Sequence, residues 1–442
     1  MKNPERMFGP KARRSDPEWP DPIGSAAHRG IVGDVLRLVD GKTEADPAAI
    51  LVQFLALFGN VAGPNVWQMI QADRHTGKFW PLIVGASSKA RKGTSLNQVV
   101  SLFQEAAPGF VEENLQRGGL SSGEGLIAHL GNVGKDGEER ADAQKRLVVV
   151  ESEFANVLRQ NHRNGNKLSD SLRDLWDQDR ASIIVRKDPV HVRGAHLTLI
   201  GHITRQELES LLTVVAQMNG FANRFAFILA KRSCVLANPP RLNEKEEKRV
   251  VESLRKIIKW TENLRGVRFA MTPETESFWE PIYKNLPDDG SLISTLTDRD
   301  GAQIRRLAMI YAALDCSTAI EIPHLEAALE VWRYSEQSAW VLYGHTGNER
   351  DQLLKLIATG GEQGLSRSAL YDKFASNHIT KKELDELLDD LSAEDLIFRH
   401  KVKDTGGRPA IFAALSPGGE KYLQAMSKSG EEREVTSGRD SE

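Results

Sequence analysis

The residues best suited to chemistry fall in a few short stretches. The first is Lys92-Gly93-Thr94-Ser95, which closes the segment FWPLIVGASSKARKGTS. An apolar run, Trp80 to Val84, meets Gly85. A small-residue, lysine-rich loop with Ser87, Ser88 and Lys89 follows, and then a helix-like run from Leu96 to Ala106. A lysine and hydroxyls at a loop–helix junction suit a polyphosphate. Backbone N–H groups and the helix N-terminus form an anion site there. The lysine neutralises the outer phosphates, and a Thr or Ser hydroxyl holds Mg²⁺. The expected set is Gly85, Ser87, Ser88, Lys89, Lys92, Gly93, Thr94 and Ser95 around the phosphates of ATP, with Thr94 or Ser95 on Mg²⁺. The usual spacing is G-x-x-x-x-G-K-[ST]. Here Arg91 stands where the last glycine belongs, and Gly93 separates Lys92 from Thr94. A basic surface loop after a core strand is the alternative reading.

The second stretch is RLVVVESEF, beginning at Arg146. Consecutive apolar residues read as a buried parallel strand. It ends in Glu151-Ser152-Glu153, at the carboxyl edge where α/β sheets bind ligands. Glu151 is expected to hold Mg²⁺ through water and Glu153 to polarise an attacking water. An acidic strand end without a role is the alternative. In GLSSGEGLI, a glycine-rich turn either caps a helix or lies near the nucleotide. In LIGHITRQEL, a buried strand ends at His202-Ile203-Thr204. Thr204 either senses a γ-phosphate or caps the next helix; His202 either shares the sensing role or is a core-edge histidine. In NGFANRF, Arg224 just before a strand is either an arginine finger offered to a neighbouring subunit or half of an intrachain ion pair. Arg306 heads the apolar helix RRLAMIYAAL and either reaches back to the phosphates or is a surface residue.

Elements must position these residues. Residues 1–47 read as a loose arm and a short helix. Asp46 and Pro47 then open a strongly apolar helix over Ala48–Gly59, too short to cross a membrane. Residues 48–237 read as an α/β core with a parallel sheet, and residues 238–344 as a helical lid. A hairpin near Ser182–Arg193 carries Arg186, Lys187 and Arg193, which either touch a nucleic-acid backbone or are solvated surface. Residues 349–415 read as three helices and two strands, the pattern of a winged helix-turn-helix. Its third helix is acidic, and its positive charge lies on Arg399, Lys401, Lys403 and Arg408. Residues 350–415 carry ten Lys and Arg against eleven Asp and Glu, so the module either touches DNA through its wing or binds protein. The tail, residues 416–442, is polar and reads as disordered.

Composition narrows the class. A chain of 442 residues with 40% hydrophobic residues allows two or three domains with real cores. A net charge of −3 excludes a global basic field. Two distant cysteines exclude a disulfide framework. With no signal-peptide pattern, the expectation is a cytoplasmic protein without a membrane partner.

Taken in order, VGASSKARKGTS, GLSSGEGLI, RLVVVESEF, LIGHIT-x-x-EL, NGFANRF and RRLAMIYAALD span about two thirds of the chain. Together they resemble a prophage- and plasmid-borne family of P-loop ATPases related to the primase-helicase proteins of mobile elements. The resemblance implies a P-loop NTPase core of RecA or AAA+ type, a helical lid and a C-terminal winged helix. It implies Lys92 as the phosphate-loop lysine, Thr94 or Ser95 on Mg²⁺, and Glu151 and Glu153 as the acids. It places Thr204 in the sensor strand, makes Arg224 the finger and puts Arg306 in the lid. Relatives are thought to work as rings on single-stranded DNA. The expected function is an ATP-dependent, helicase-like motor, Mg²⁺-requiring and homo-oligomeric, serving replication or maintenance of a mobile element. The alternative is a nucleotide-binding switch or winged-helix DNA-binding regulator with little turnover. A defence role on the same elements is a third possibility.

Overall fold

The computed structural model describes residues 19–85, 90–131, 145–161, 166–183, 190–212, 220–264, 266–287, 292–374, 381–402 and 410–423. The chain divides into two compact units, Met1–Leu342 and Tyr343–Glu442.

The strands of the first unit are β1 (Trp67–Ile70), β2 (Asp73–Thr76), β3 (Pro81–Gly85), β4 (Leu115–Arg117), β5 (Arg146–Glu151) and β6 (Arg180–Ile183). They continue as β7 (Val190–Arg193), β8 (His196–Thr204), β9 (Ala226–Ala230), β10 (Arg268–Met271) and β11 (Ala319–Ile320). The main sheet has the order β4-β5-β8-β3-β9, and every pairing is parallel. This is the α/β architecture that the sequence predicts. The strands carry unbroken apolar runs because helices cover both faces, and β3 and β9 are buried throughout.

The helix Pro47–Ala62 is the spine of this unit. Asp46 caps it, accepting from the Ala48 N–H at 2.9 Å, and Pro47 fills its first position. Every residue from Ala48 to Ala62 is buried. The helix is longer than the sequence predicts, and with the turn to Asn65 it is long and apolar enough to span a membrane by composition. Here protein covers it instead. Its polar members, Gln53 and Asn60, lie seven apart and so share one face. Asn60 Nδ2 donates to the carbonyls of Leu147 (3.1 Å) and His196 (3.0 Å) and to Thr198 Oγ1 (3.0 Å). Gln53 meets His202, so the helix runs antiparallel to β8 across the sheet.

β1 lies outside the main sheet: it pairs with β2 antiparallel and with β10 parallel, and β10 pairs with β11. One expectation is corrected: residues 238–342 are no separable lid. They supply β10, β11 and the helix Asp300–Leu314, which is buried almost all round in the same core as Pro47–Ala62. From Leu307 to Leu314 every residue of it is apolar and buried, so that stretch turns no face to water.

In the second unit the helices Arg367–Phe374 and Lys381–Ala393 and the strands β13 (Ile397–Val402) and β14 (Ala410–Leu415) follow the expected elements, while a short strand β12 (Leu365–Ser366) is additional. Residues 417–423 are helical where a disordered tail is expected, because Tyr422 and Leu423 pack on this unit's core. The sheet order is β12-β14-β13, antiparallel. Leu353, Leu354, Ile357, Leu370, Leu388 and Leu391 belong to its separate core. The helix leading in runs unbroken over Ile322–Ala358, where a break at 344–348 is expected from Gly344 and Asn348. Gly344 and Gly347 cost only ~1 kcal/mol each in a helix interior, too little to stop a helix with apolar stretches before and after them.

Candidate functional site

The carboxyl edge of the main sheet gathers most of the residues singled out above. β3 brings Gly85 to that edge, level with Thr204 of β8 and Ala230 of β9. Ser87, Ser88 and Lys89 lie outside the described residues. Arg91 caps the helix Lys92–Ala106 with left-handed backbone, φ 57° and ψ 28°. That conformation is why a glycine suits this place, and Arg91 holds it at a cost of about 1 kcal/mol. Its Nε donates to Glu44 Oε2 at 2.7 Å. The buried Glu44 also accepts from Arg232 and, at 2.7 Å, from the Leu236 N–H. The Arg232 hydrogen bond, with the Leu236 N–H behind it, holds its carboxyl down to about 2.

Lys92 is half-buried at the first turn. Burial lowers its ammonium pKa, and the nearby Glu207 works the other way. Gly93 is exposed, and nothing lies within 4 Å of the Cβ it lacks, so local packing does not demand glycine there. Thr94 is half-exposed, whereas Ser95 is fully buried. Ser95 Oγ donates to the Lys92 carbonyl (2.7 Å) and accepts from Gln53 Nε2 (2.8 Å). Its hydroxyl therefore faces the core.

Glu151 ends β5, aligned with Gly201, which is aligned with Leu82. β8 lies between the acid strand and the loop strand, so two strand spacings, ~10 Å, separate them. Glu151 is buried, and its Oε1 accepts from the Leu120 N–H at 2.9 Å. Burial raises its pKa against that hydrogen bond. Gly118 and Gly119, at φ 71° and 103°, make the turn that brings Leu120 there. Ser122 in the same turn caps the helix Gly123–Gly131 by accepting from the Gly125 N–H at 3.1 Å. Glu153 is exposed just past β5, and Asn156 Nδ2 donates to it at 3.2 Å. Thr204 is a helix cap in a full capping box with Glu207, so its hydroxyl is committed. His202 is buried with Nε2 2.9 Å from Gln53 Oε1; burial first, then the charges of Lys92 and Arg117, push its pKa to about 4.

Arg224 and Arg306 are corrected. Both sit by the amino edge, one strand length away, roughly 16 Å for the five residues of β3. Arg224 is buried and donates to Asp177 and to the Gly220 carbonyl, so it is an intrachain pair rather than a group displayed to a neighbour. Arg306 stacks on Trp176, its guanidinium carbon 3.7 Å from the ring centroid, and donates to the Trp176 carbonyl at 3.2 Å. Burial pulls its pKa to about 9. Lys78 beside it donates to the Leu175 carbonyl at 2.6 Å. Arg306 reaches no phosphate from there.

Sequence reasoning missed Gln53, Glu44, Arg117 and Glu207. Arg117 ends β4 and donates to Asn97 Oδ1 of the loop helix at 3.0 Å. A lone glutamine in AAILVQFLALFG is the one signal that sequence offers for Gln53.

Of the residues expected to touch nucleic acid, Arg186, Lys187, Lys403 and Arg408 lie outside the described residues, and the hairpin that would carry the first two is formed by β6 and β7. Arg399 donates to Asp389 of the helix Lys381–Ala393, so its charge is offset, while Lys401 is exposed. Arg367 pairs twice with Asp385, at 2.5 Å each, on the same acidic helix. No family model and no curated protein matches this chain.

Proposed function

We propose that the first unit is a P-loop NTPase that binds ATP and Mg²⁺ at the carboxyl edge of its parallel sheet. The observation that carries the reading is the register of β3, β8 and β5. A strand, a loop and a helix begun by Lys92 stand on one side, and a strand ending in a buried glutamate stands two spacings away. That gap suits a phosphate chain with hydrated metal, which holds the charge of the reacting phosphoryl group. Lys92 neutralises the outer phosphates, Thr94 supplies the metal's hydroxyl, and Glu151 holds its water. Glu153, exposed at the rim, orients the attacking water. The resemblance to mobile-element ATPases extends the reading to a homo-oligomeric, helicase-like motor on DNA. In it, the second unit is a winged helix-turn-helix that contacts DNA through Lys401.

A switch with little turnover is the second reading, favoured by the commitment of Arg224 to Asp177 and of Thr204 to its capping box. Hydrolysis of ATP by the purified full chain, with and without single-stranded DNA, separates the two. The motor predicts DNA-stimulated turnover that falls by at least about a hundredfold in Glu153→Gln. It also predicts loss of ATP binding in Lys92→Ala with the fold intact by circular dichroism. Nucleotide binding without turnover gives the switch. Unchanged binding in Lys92→Ala removes both readings.

A further inference from the structure

We infer that Gln53 is a positioning residue for the anion-binding turn at Lys92–Ser95, tying that turn to the central strand and withdrawing the Ser95 hydroxyl from the site. Its consequence for nucleotide rests on the function proposed above; its geometry does not. Gln53 is fully buried in a helix otherwise made of apolar side chains around it. Both ends of its carboxamide are satisfied, unlike those of Asn60 and Gln303, whose buried oxygens find no partner among the described residues. Its Oε1 lies 2.9 Å from His202 Nε2 and can only accept, so His202 carries its proton on Nε2. Its Nε2 donates to the Ala49 carbonyl (2.8 Å) and to Ser95 Oγ (2.8 Å). Ser95 Oγ passes its own proton to the Lys92 carbonyl at 2.7 Å.

A continuous chain of three hydrogen bonds thus runs from β8 to the backbone of Lys92. His202 is level with Ile83, two residues before Gly85. The relay therefore fixes the start of the loop helix against the strand that feeds the loop, whatever the intervening residues do. With its hydroxyl so engaged and fully buried, Ser95 presents nothing to a ligand, and the metal role passes to Thr94.

Two variants test this in the full chain. Gln53→Leu keeps the volume and loses both polar atoms; Ser95→Ala removes only the hydroxyl. Amide hydrogen exchange over residues 92–96, measured without nucleotide, is expected to quicken roughly three- to tenfold in both. ATP affinity is expected to drop by a similar factor with and without Mg²⁺, and the double variant should bind no more weakly than the single ones. Unchanged exchange in Ser95→Ala overturns the inference. So does a loss of affinity in Ser95→Ala seen only with Mg²⁺, which would make that hydroxyl a metal ligand. A lower melting temperature with unchanged exchange and affinity leaves Gln53 a packing role only and also overturns it. If the wild type binds no ATP while exchange quickens, the nucleotide reading falls and the positioning role stands. Ser95→Ala decides the matter alone if Gln53→Leu does not fold.

Discussion

Single residues decide how the expected loop chemistry is altered in this chain. Arg91 occupies left-handed backbone that glycine would take without strain. Its bond to Glu44 offsets the cost, and Glu44 also gathers Arg232 and the Leu236 N–H. Arg91→Gly loses the ion pair and sheds the strain, so stability should change little. Arg91→Ala loses the pair and keeps the strain, and should be less stable than Arg91→Gly by about 1 kcal/mol in urea denaturation. Equal stability would show that the φ value imposes no cost. Sequence left Thr204 with two readings, and the capping box with Glu207 decides for the cap. For Arg224 two readings were open as well. Whether an arginine faces out or pairs inward depends on where Asp177 lands, and no spacing encodes that.

Elements carry the positioning. The helix Pro47–Ala62 reads as apolar on every side, and that is enough to predict its burial. Its direction across the sheet follows from two polar residues seven apart, Gln53 at the carboxyl end of β8 and Asn60 at the amino end. The helix also passes very close to other backbone. A Cβ on Gly59 would stand 2.2 Å from the Gly77 carbonyl oxygen. Neither main chain can yield easily, since Gly77 leads into the buried β3. Gly59→Ala should therefore cost about 1–3 kcal/mol, read as a lower urea midpoint. A gain in stability, the usual result of replacing glycine within a helix, would contradict the close approach.

The whole molecule sets the response to pH. His75, His196 and His202 come from separate segments and all end in one unit, the last two buried and His75 half-buried. Burial first, with Arg306 behind it, lowers His75 to about 4; burial with Lys92 and Arg117 does the same for His202. His196 lies well below its ordinary value for the same first reason. An unfolded imidazole titrates near 6.5. Between about pH 6.5 and pH 4 the unfolded chain therefore binds more protons than the folded one. Stability from these groups is full above about 6.5 and is lost as the pH falls towards 4. The urea midpoint should be lower at pH 5.5 than at pH 7.5, and His75→Gln should shrink the difference. No shrinkage would mean that His75 protonates freely in the fold.

The sequence by itself determined the α/β class, the strand–loop–helix around Lys92, the acid at the end of β5, and the helices and strands of the second unit. Each depends on local periodicity, caps or apolar runs, which neighbours in the chain supply. Only the tertiary structure decided that β1 joins a second sheet with β10 and β11, and that residues 238–342 share the core. The same holds for Ser95 turning inward to Gln53 and for Arg224 and Arg306 lying at the far edge of the sheet. Those outcomes depend on contacts between residues tens to hundreds of positions apart. There the burial of a charge or an amide is settled by whichever partner the fold brings within reach.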